Sequence, residues 1–500
     1  MSGTLDGGFF TRLISADFPK KNYMTFISYS YLFIFLPLIV IFYHIFRTSW
    51  LANVVILLFS YFFYAVGGLW FLIPLMITSL IDFYVGRKLD AVSAQRLRKF
   101  LLVLSLTANL GLLAFFKYVP WLLDSMNHGF SAAGLAIVLP TLAVTLPPGI
   151  SFYTFQTMSY TIEVYWREMK SSRSLINYLA FVTFWPHLVA GPIMRARTLL
   201  TQLEKVRPVI SADEARYALM LIIWGLAKKI VLADNFGWIV DSVDGHIKTG
   251  FVWPGAGLVF GYAFAGQIYC DFSAYTDIAR GSAKLVGIEL VRNFRTPYYA
   301  SSPSDFWRRW HISLSTWLRD YLYIPLGGNR FGRSLEFRNL MLTMTLGGLW
   351  HGAGILFIAW GIWHGLLLIL YRLVPLDQML EKLLGNIGKA VSIILTFHLV
   401  VFGWILFRAD VHTIGPLLHS IAAMSTSPDW FYFDAIGRGV LILMAVVLIT
   451  DLIGYLHDVE CVELLARVNP YVASGIAAAC YFAIVTLGKR ESSQFIYFQF

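Results

Sequence analysis

Three cysteines in 500 residues exclude a disulfide framework. Cys270, Cys461 and Cys480 follow no zinc-ligand spacing, so no metal site is expected, and two of them lie in apolar runs. They read as buried small residues. Charge is scarce too. Only 14% of the chain is Asp, Glu, Lys or Arg, whereas soluble domains carry about a quarter. Between the apolar runs no polar stretch is long enough for a soluble domain. No internal repeat is visible, so the inverted-repeat pattern of many transporters is missing. The first 23 residues have neither a long apolar core nor a small-residue cleavage site, which makes them a poor signal peptide. Met24 begins a second plausible start. Residues 1–23 are therefore read as a disordered extension or as the product of a misplaced start codon.

What the chain has in quantity is apolar length. Hydrophobic residues make up 58% of it, and the mean hydropathy is +0.65. Apolar runs recur near 28–46, 51–66, 69–85, 100–117, 134–146, 150–165, 177–190, 216–233, 252–270, 354–374, 389–407, 437–456 and 470–487. A spanning helix needs about 20 apolar residues, so the shorter runs are re-entrant or buried in a bundle. The expectation is an all-α polytopic membrane protein with roughly ten to twelve spans. The formal net charge of +10 is no nucleic-acid signal here. The basic residues sit in short loops, where they set membrane orientation. Arg87, Lys88, Arg96, Arg98 and Lys99 crowd one loop, which this bias assigns to the cytoplasm.

The longest polar segment runs from Arg292 to Arg338. It holds arginines 292, 295, 308, 309, 319, 330, 333 and 338 against Asp305, Asp320 and Glu336. Ser302-Pro-Ser-Asp305 is a helix start signal, with Ser302 as N-cap and Pro303 at the first helical position. Trp307, Trp310, Leu314, Trp317 and Tyr321 follow at helical spacing. Arg308, His311, Ser315 and Arg319 make a neighbouring stripe. The pattern predicts one helix at the membrane interface, tryptophans at the water–lipid boundary and the histidine stripe turned toward protein.

Two histidines, forty residues apart, stand out. They lie in Phe306-Trp-Arg-Arg-Trp-His311-Ile-Ser-Leu-Ser and in Gly347-Gly-Leu-Trp-His351-Gly-Ala-Gly354. Ionisable residues in apolar surroundings are costly and by default functional, and imidazole is suited to proton transfer near neutral pH. The glycines around His351 cost helix stability and permit close approach of a backbone or a ligand, which suits a tunnel. The competing reading of His351 is a core histidine satisfied within a tight helix pair. That of His311 is an interfacial histidine among arginines. On a continuous helix His364 lies roughly 20 Å beyond His351, which excludes it from the same small site. His187 and His398 read as satisfied core histidines. Asp271 and Asp277 end a long apolar run and are expected to pair with Arg280 or Arg295. The arginines fit either lipid headgroups or an anionic cosubstrate, since guanidinium binds phosphate in a bidentate manner.

With these motifs the chain resembles the membrane-bound O-acyltransferase family, in particular the branch acting in bacterial alginate O-acetylation. The resemblance runs from Met24 to Phe500. It includes Leu146-Pro-Pro-Gly149-Ile-Ser-Phe-Tyr153, Phe184-Trp-Pro-His187-Leu-Val-Ala-Gly-Pro192, Asp271-Phe-Ser-Ala-Tyr-Thr-Asp277 and Trp307 through Asn329. It implies a helical ring around a central funnel, with residues 24–490 as the transmembrane domain. His351 matches the family's catalytic histidine and His311 its second signature residue. The implied donor is acetyl-CoA, a cosubstrate whose phosphates Arg308, Arg309 and Arg319 would meet. The implied partner is a periplasmic SGNH-type acetyltransferase that modifies an exported polysaccharide, from the bacterial inner membrane. Alginate is the first expectation. Cellulose, peptidoglycan and a D-alanyl transfer from a carrier protein are the alternatives. Phe495-Ile-Tyr497-Phe-Gln-Phe500 looks like the tail of bacterial relay acyltransferases, which makes residues 491–500 an extracytoplasmic tail and Tyr497 a transient acyl carrier. The alternative is an aromatic anchor at the membrane surface.

Overall fold

The computed structural model describes residues 24–189, 191–207, 209–423, 431–489, 495 and 496. The N-terminal extension and Tyr497 lie outside the described residues. Among these residues there are helices and no strands, as a bilayer demands of an open chain: a helix satisfies every backbone polar group within itself. Six helices are long and apolar enough to cross a membrane: Leu69–Ala91, Gln95–Ala132, Ile355–Leu373, Asn386–Arg408, Ile436–His457 and Pro470–Leu487. Two shorter apolar helices, Ser30–Phe46 and Leu51–Ala65, join them. Further runs counted as spans from sequence behave differently. Residues 150–164 are buried throughout, and the helix holding 256–270 continues into Asp271, Asp277 and Arg280. The spans turn apolar side chains outward, among them Ile394, Leu441, Ile442 and Phe482, as surfaces facing lipid do.

The chain divides into two compact units. The first holds residues 1–189 and 193–209. Its principal helices are α1 (Leu36–Phe46), α2 (Leu51–Ala65), α3 (Leu72–Ala91), α4 (Gln95–Ala132) and α5 (Ile150–Trp166). A buried polar network ties three of them. Asp82 on α3 accepts from Ser105 Oγ at 2.5 Å and Asn109 Nδ2 at 2.7 Å on α4, and Thr157 on α5 donates to Asn109 Oδ1 at 2.9 Å. Away from water such a network binds helices only when its groups find partners, as these do.

The second unit holds residues 190–192 and 210–500. It begins with α6 (Ala212–Ala227), whose Ser211 and Glu214 form a capping box. A widened turn, Lys228–Ala233, leads into α7 (Asp234–Lys248). Helix α8 (Ala256–Leu285) is buried along nearly its whole length and forms the unit's axis. Next come α9 (Pro303–Arg309), α10 (Ile312–Leu318), α11 (Arg333–His351), α12 (Ile355–Leu373), α13 (Asn386–Arg408), α14 (Phe431–His457) and α15 (Pro470–Leu487).

Two expectations fail in this unit. The single helix read from Ser302 to Tyr321 is broken. Its start is as expected, with Ser302 Oγ accepting from Asp305 N. Trp310 then turns extended, and His311 adopts a left-handed backbone with φ 41° and ψ 55°. The loop before the helix supplies the reason. Asn293 O accepts from Ile312 N at 2.9 Å, and Arg295 N donates to Arg309 O at 3.0 Å, so the chain is pinned on both sides of the break. Trp310 and Trp317 are core residues and not interfacial ones, with Trp310 packed 4.8 Å from Trp404. The second failure concerns α11 and α12. The helix stops at Gly352 and reverses through Gly354, giving a tight hairpin. A Cβ at Gly348 would lie 2.2 Å from Phe357 O, and one at Gly361 2.4 Å from Met344 O, so these glycines let the two backbones touch.

Candidate active site

Both signature histidines belong to the second unit, and its fold brings them together. His351 is the last residue of α11. Trp350, Trp360 and Phe407 surround its ring at 4.9, 5.2 and 5.2 Å between ring centres. His311 occupies the break between α9 and α10, fully buried, with its ring 4.6 Å from Phe272 of α8. The two imidazoles are 6.4 Å apart, centre to centre. Burial pushes the pKa of His311 down to about 3, so its ring is neutral at cellular pH. A neutral imidazole offers one N–H donor and one acceptor.

The left-handed backbone at His311 explains how the ring is aimed. A straight helix would carry residue 311 onward with its arginine neighbours; the break turns it inward. Asn293 is the residue that sequence reading missed. Beyond its backbone contact to Ile312, its side-chain Oδ1 accepts from Ser313 N at 3.2 Å, so it caps α10 from outside the helix. An asparagine in a connecting segment carries no periodic signal, and no spacing rule could have selected it.

His364 is closer to this site than helix length suggests. The hairpin folds it back, so its ring lies 4.9 Å from Trp360, the same tryptophan that flanks His351. The distance argument that set it apart fails for that reason. Trp307 and Phe306 enclose it at 5.2 and 6.0 Å. His187 fits the core reading, with Nε2 3.2 Å from both Gln156 Nε2 and Phe181 O. His398 is instead exposed, its Nδ1 2.7 Å from Ile394 O.

The three arginines differ. Arg309 is tied into the fold: its Nε donates to Asp305 at 2.9 Å, and its Nη1 reaches Thr296 Oγ1 at 3.3 Å. Arg308 and Arg319 are exposed, paired with Asp305 at 3.4 Å and Asp320 at 2.7 Å. Surface pairs of this kind contribute about 0–1 kcal/mol and yield readily to a phosphate.

The acidic pair of α8 is partnered mainly by lysine. Asp277 meets Lys228 at 2.7 Å and the expected Arg280 at 3.6 Å. Asp271 meets Lys229 at 2.9 Å, and Lys229 also holds Asp234 at 2.8 Å, in place of the expected arginines. Arg295 pairs with Asp458. The signal for the lysines was present in the sequence: two adjacent cations inside the apolar run 216–233.

The C-terminal segment enters the same core. Phe495 and Ile496 are fully buried. The Phe495 ring is 4.1 Å from Tyr275 and 6.1 Å from Phe272, the residue that also flanks His311. Ile496 N donates to Asp271 Oδ2 at 2.7 Å. These two positions are therefore packed in protein and do not anchor the chain at a membrane surface.

Comparison with known proteins covers most of the chain. The model of the membrane-bound O-acyltransferase family matches residues 56–402, a stretch that includes both histidines. The probable alginate O-acetylase AlgI of Pseudomonas syringae pv. tomato is 38% identical over 412 residues, covering 81% of this chain and 76% of the relative. The peptidoglycan O-acetyltransferase of Helicobacter pylori is 34% identical over 379 residues, 70% of this chain and 69% of the relative. The teichoic acid D-alanyltransferase of Bacillus subtilis is 28% identical over 283 residues, 52% of this chain and 68% of the relative.

Proposed function

Since the chain belongs to the membrane-bound O-acyltransferase family, we propose that it is the multi-pass component of a bacterial system that O-acetylates an exported polysaccharide. The observation that carries this reading is the meeting of His311 and His351, 6.4 Å apart, in a buried aromatic core. The donor is acetyl-CoA, taken from the cytoplasmic side of the inner membrane, with Arg308 and Arg319 as the guanidinium groups that receive its phosphates. The acceptor hydroxyl attacks the thioester carbonyl while His351 takes its proton. The new C–O bond forms as the C–S bond breaks, and the proton passes to the departing thiolate. Neutral His311 donates its N–H to the carbonyl oxygen as charge gathers there. The first acceptor is the hydroxyl of Tyr497, which hands acetyl to the serine of a periplasmic SGNH-type partner.

Alginate is the polymer of choice, because relatives named for alginate O-acetylation align over most of this chain. Peptidoglycan is the second acceptor to test, after the relative of Helicobacter pylori. Transfer of D-alanine draws only on the 28% relative and ranks below both.

Two variants test the scheme. His351→Ala should lower acetyl transfer by about a hundredfold or more, the share of a general base, while folded yield stays near wild type. Tyr497→Phe keeps the ring and removes only the oxygen. It should abolish polysaccharide acetylation and the acetyl label that mass spectrometry finds on the wild-type C-terminal peptide. Full activity of Tyr497→Phe would leave direct transfer from the histidine core to the partner.

A further inference from the structure

The second unit carries a group of buried charges that the chemistry above does not use. Lys229, fully buried, bridges Asp234 Oδ1 at 2.8 Å and Asp271 Oδ1 at 2.9 Å. Three charges taken out of water are tolerated only when further hydrogen bonds satisfy them. Asp271 divides its two oxygens. Oδ1 faces Lys229, and Oδ2 accepts a main-chain N–H from a residue 225 positions away, Ile496. Asp271 and Tyr275 lie four residues apart on one face of α8, and Phe495 packs on Tyr275 beside that bond. Lys229 stands on the widened turn Lys228–Ala233, the kind of helix insertion that often marks a functional position.

We propose that the Asp271–Lys229–Asp234 triad is a latch that seats the C-terminal segment against the histidine core, and that acyl transfer requires the latch to be closed. The recognition is of backbone: a carboxylate held in place by a buried lysine binds one peptide N–H. The Ile496 side chain takes no part in this bond; the N–H alone fixes the backbone at 496. Phe272 connects the two parts, since its ring meets Phe495 on one side and His311 on the other. Asp271, Lys229 and Asp234 are thus positioning residues. Their role in transfer rests on the acyl chemistry proposed for His351; their grip on the tail does not.

Ile496→Pro tests the latch without replacing a residue of the triad: it removes the N–H that Asp271 accepts, along with the Ile side chain and some backbone freedom at 495 and 496. Ile496→Ala is the conservative partner that keeps the N–H. The full-length protein in detergent is exposed to carboxypeptidase, and the release of C-terminal residues is followed by mass spectrometry. Acetyl transfer from acetyl-CoA is measured in parallel. Ile496→Pro should open the tail to digestion and lower transfer by about tenfold or more, the factor that goes with one hydrogen bond to a charged group. Ile496→Ala should restore protection and most of the transfer. A protected tail in Ile496→Pro would overturn the latch. So would an open tail with transfer at the wild-type level. If wild type fails to use acetyl-CoA while tail protection follows the expected order, the latch stands and the donor assignment falls.

Discussion

His311 holds a backbone conformation that histidine adopts more readily than most residues but still at a cost of about 1–2 kcal/mol. Something must hold it there, and Asn293 is the residue placed to do so. Asn293→Ala should therefore reduce kcat by about tenfold while leaving KM nearly unchanged, since one buried N–H of α10 loses its acceptor and the ring loses its aim. Asn293→Asp keeps the acceptor oxygen and should recover much of the rate. A matching fall in folded yield for both variants would point to stability alone. The pH profile gives a second check. With a folded pKa depressed to about 3, His311 is neutral above that point and begins to charge only as pH falls toward it. A His311→Asn variant should then show a lower kcat profile of unchanged shape between about pH 5 and 8, where an ordinary histidine titrates. A limb that vanishes in that window would assign the ionisation to His311. The two histidines were legible in sequence because an ionisable side chain is conspicuous in an apolar chain. Asn293 was not, because its role comes from a contact across twenty residues of loop and helix.

Helix boundaries show the same division. Ser302, Pro303 and Asp305 announced the start of α9 through local chemistry, and the structure begins there. Its end at Trp310 has no glycine or proline to mark it, because the break is imposed by pairing with the segment 293–295. Periodicity alone ran the helix on to Tyr321. The reversal after His351 was marked by Gly352 and Gly354; the glycines were read as allowing a backbone or a ligand to approach, and the structure shows the backbone approach, in a hairpin. The hairpin supplies a test at this scale. Gly348→Val would drive its branched side chain into the Phe357 carbonyl, so α11 and α12 must separate. Overpacking of this sort costs about 1–3 kcal/mol. Tm in detergent should fall, and acetyl transfer should fall with it because His351 ends α11. Unchanged Tm would mean that the hairpin closes by another route.

At the scale of the whole molecule, membrane class was readable from composition alone, because so little charge leaves few polar faces to meet water. The basic residues expected in one loop lie on the end of α3 and the start of α4, joined by residues 92–94, and sidedness follows from them. Residues 87–99 should react with a membrane-impermeant thiol reagent only from the cytoplasmic side when Lys88 or Arg96 is replaced by cysteine. Labelling from the periplasm would reverse the orientation. Arg98 belongs to that basic set but is buried, donating to the backbone oxygens of Val164 and Tyr165 at 3.3 and 2.6 Å, so it also holds α4 to the end of α5. Composition counts a charge; only packing reveals that it has a second employment.

The burial of Phe495 and Ile496 also decides how the protein should be handled at the bench. Ile496 is enclosed in the second unit, and the four residues 497–500 follow it. Fully extended they reach about 14 Å. An affinity tag or fluorescent protein joined after Phe500 would have to begin within that distance of the core, and its bulk would pull on the bond to Asp271. If the proposed latch governs transfer, such a fusion should show less acetyl transfer than the untagged protein. Purification handles belong at the other end of the chain, and a loss of activity seen only with C-terminal fusions is what a tethered tail should produce.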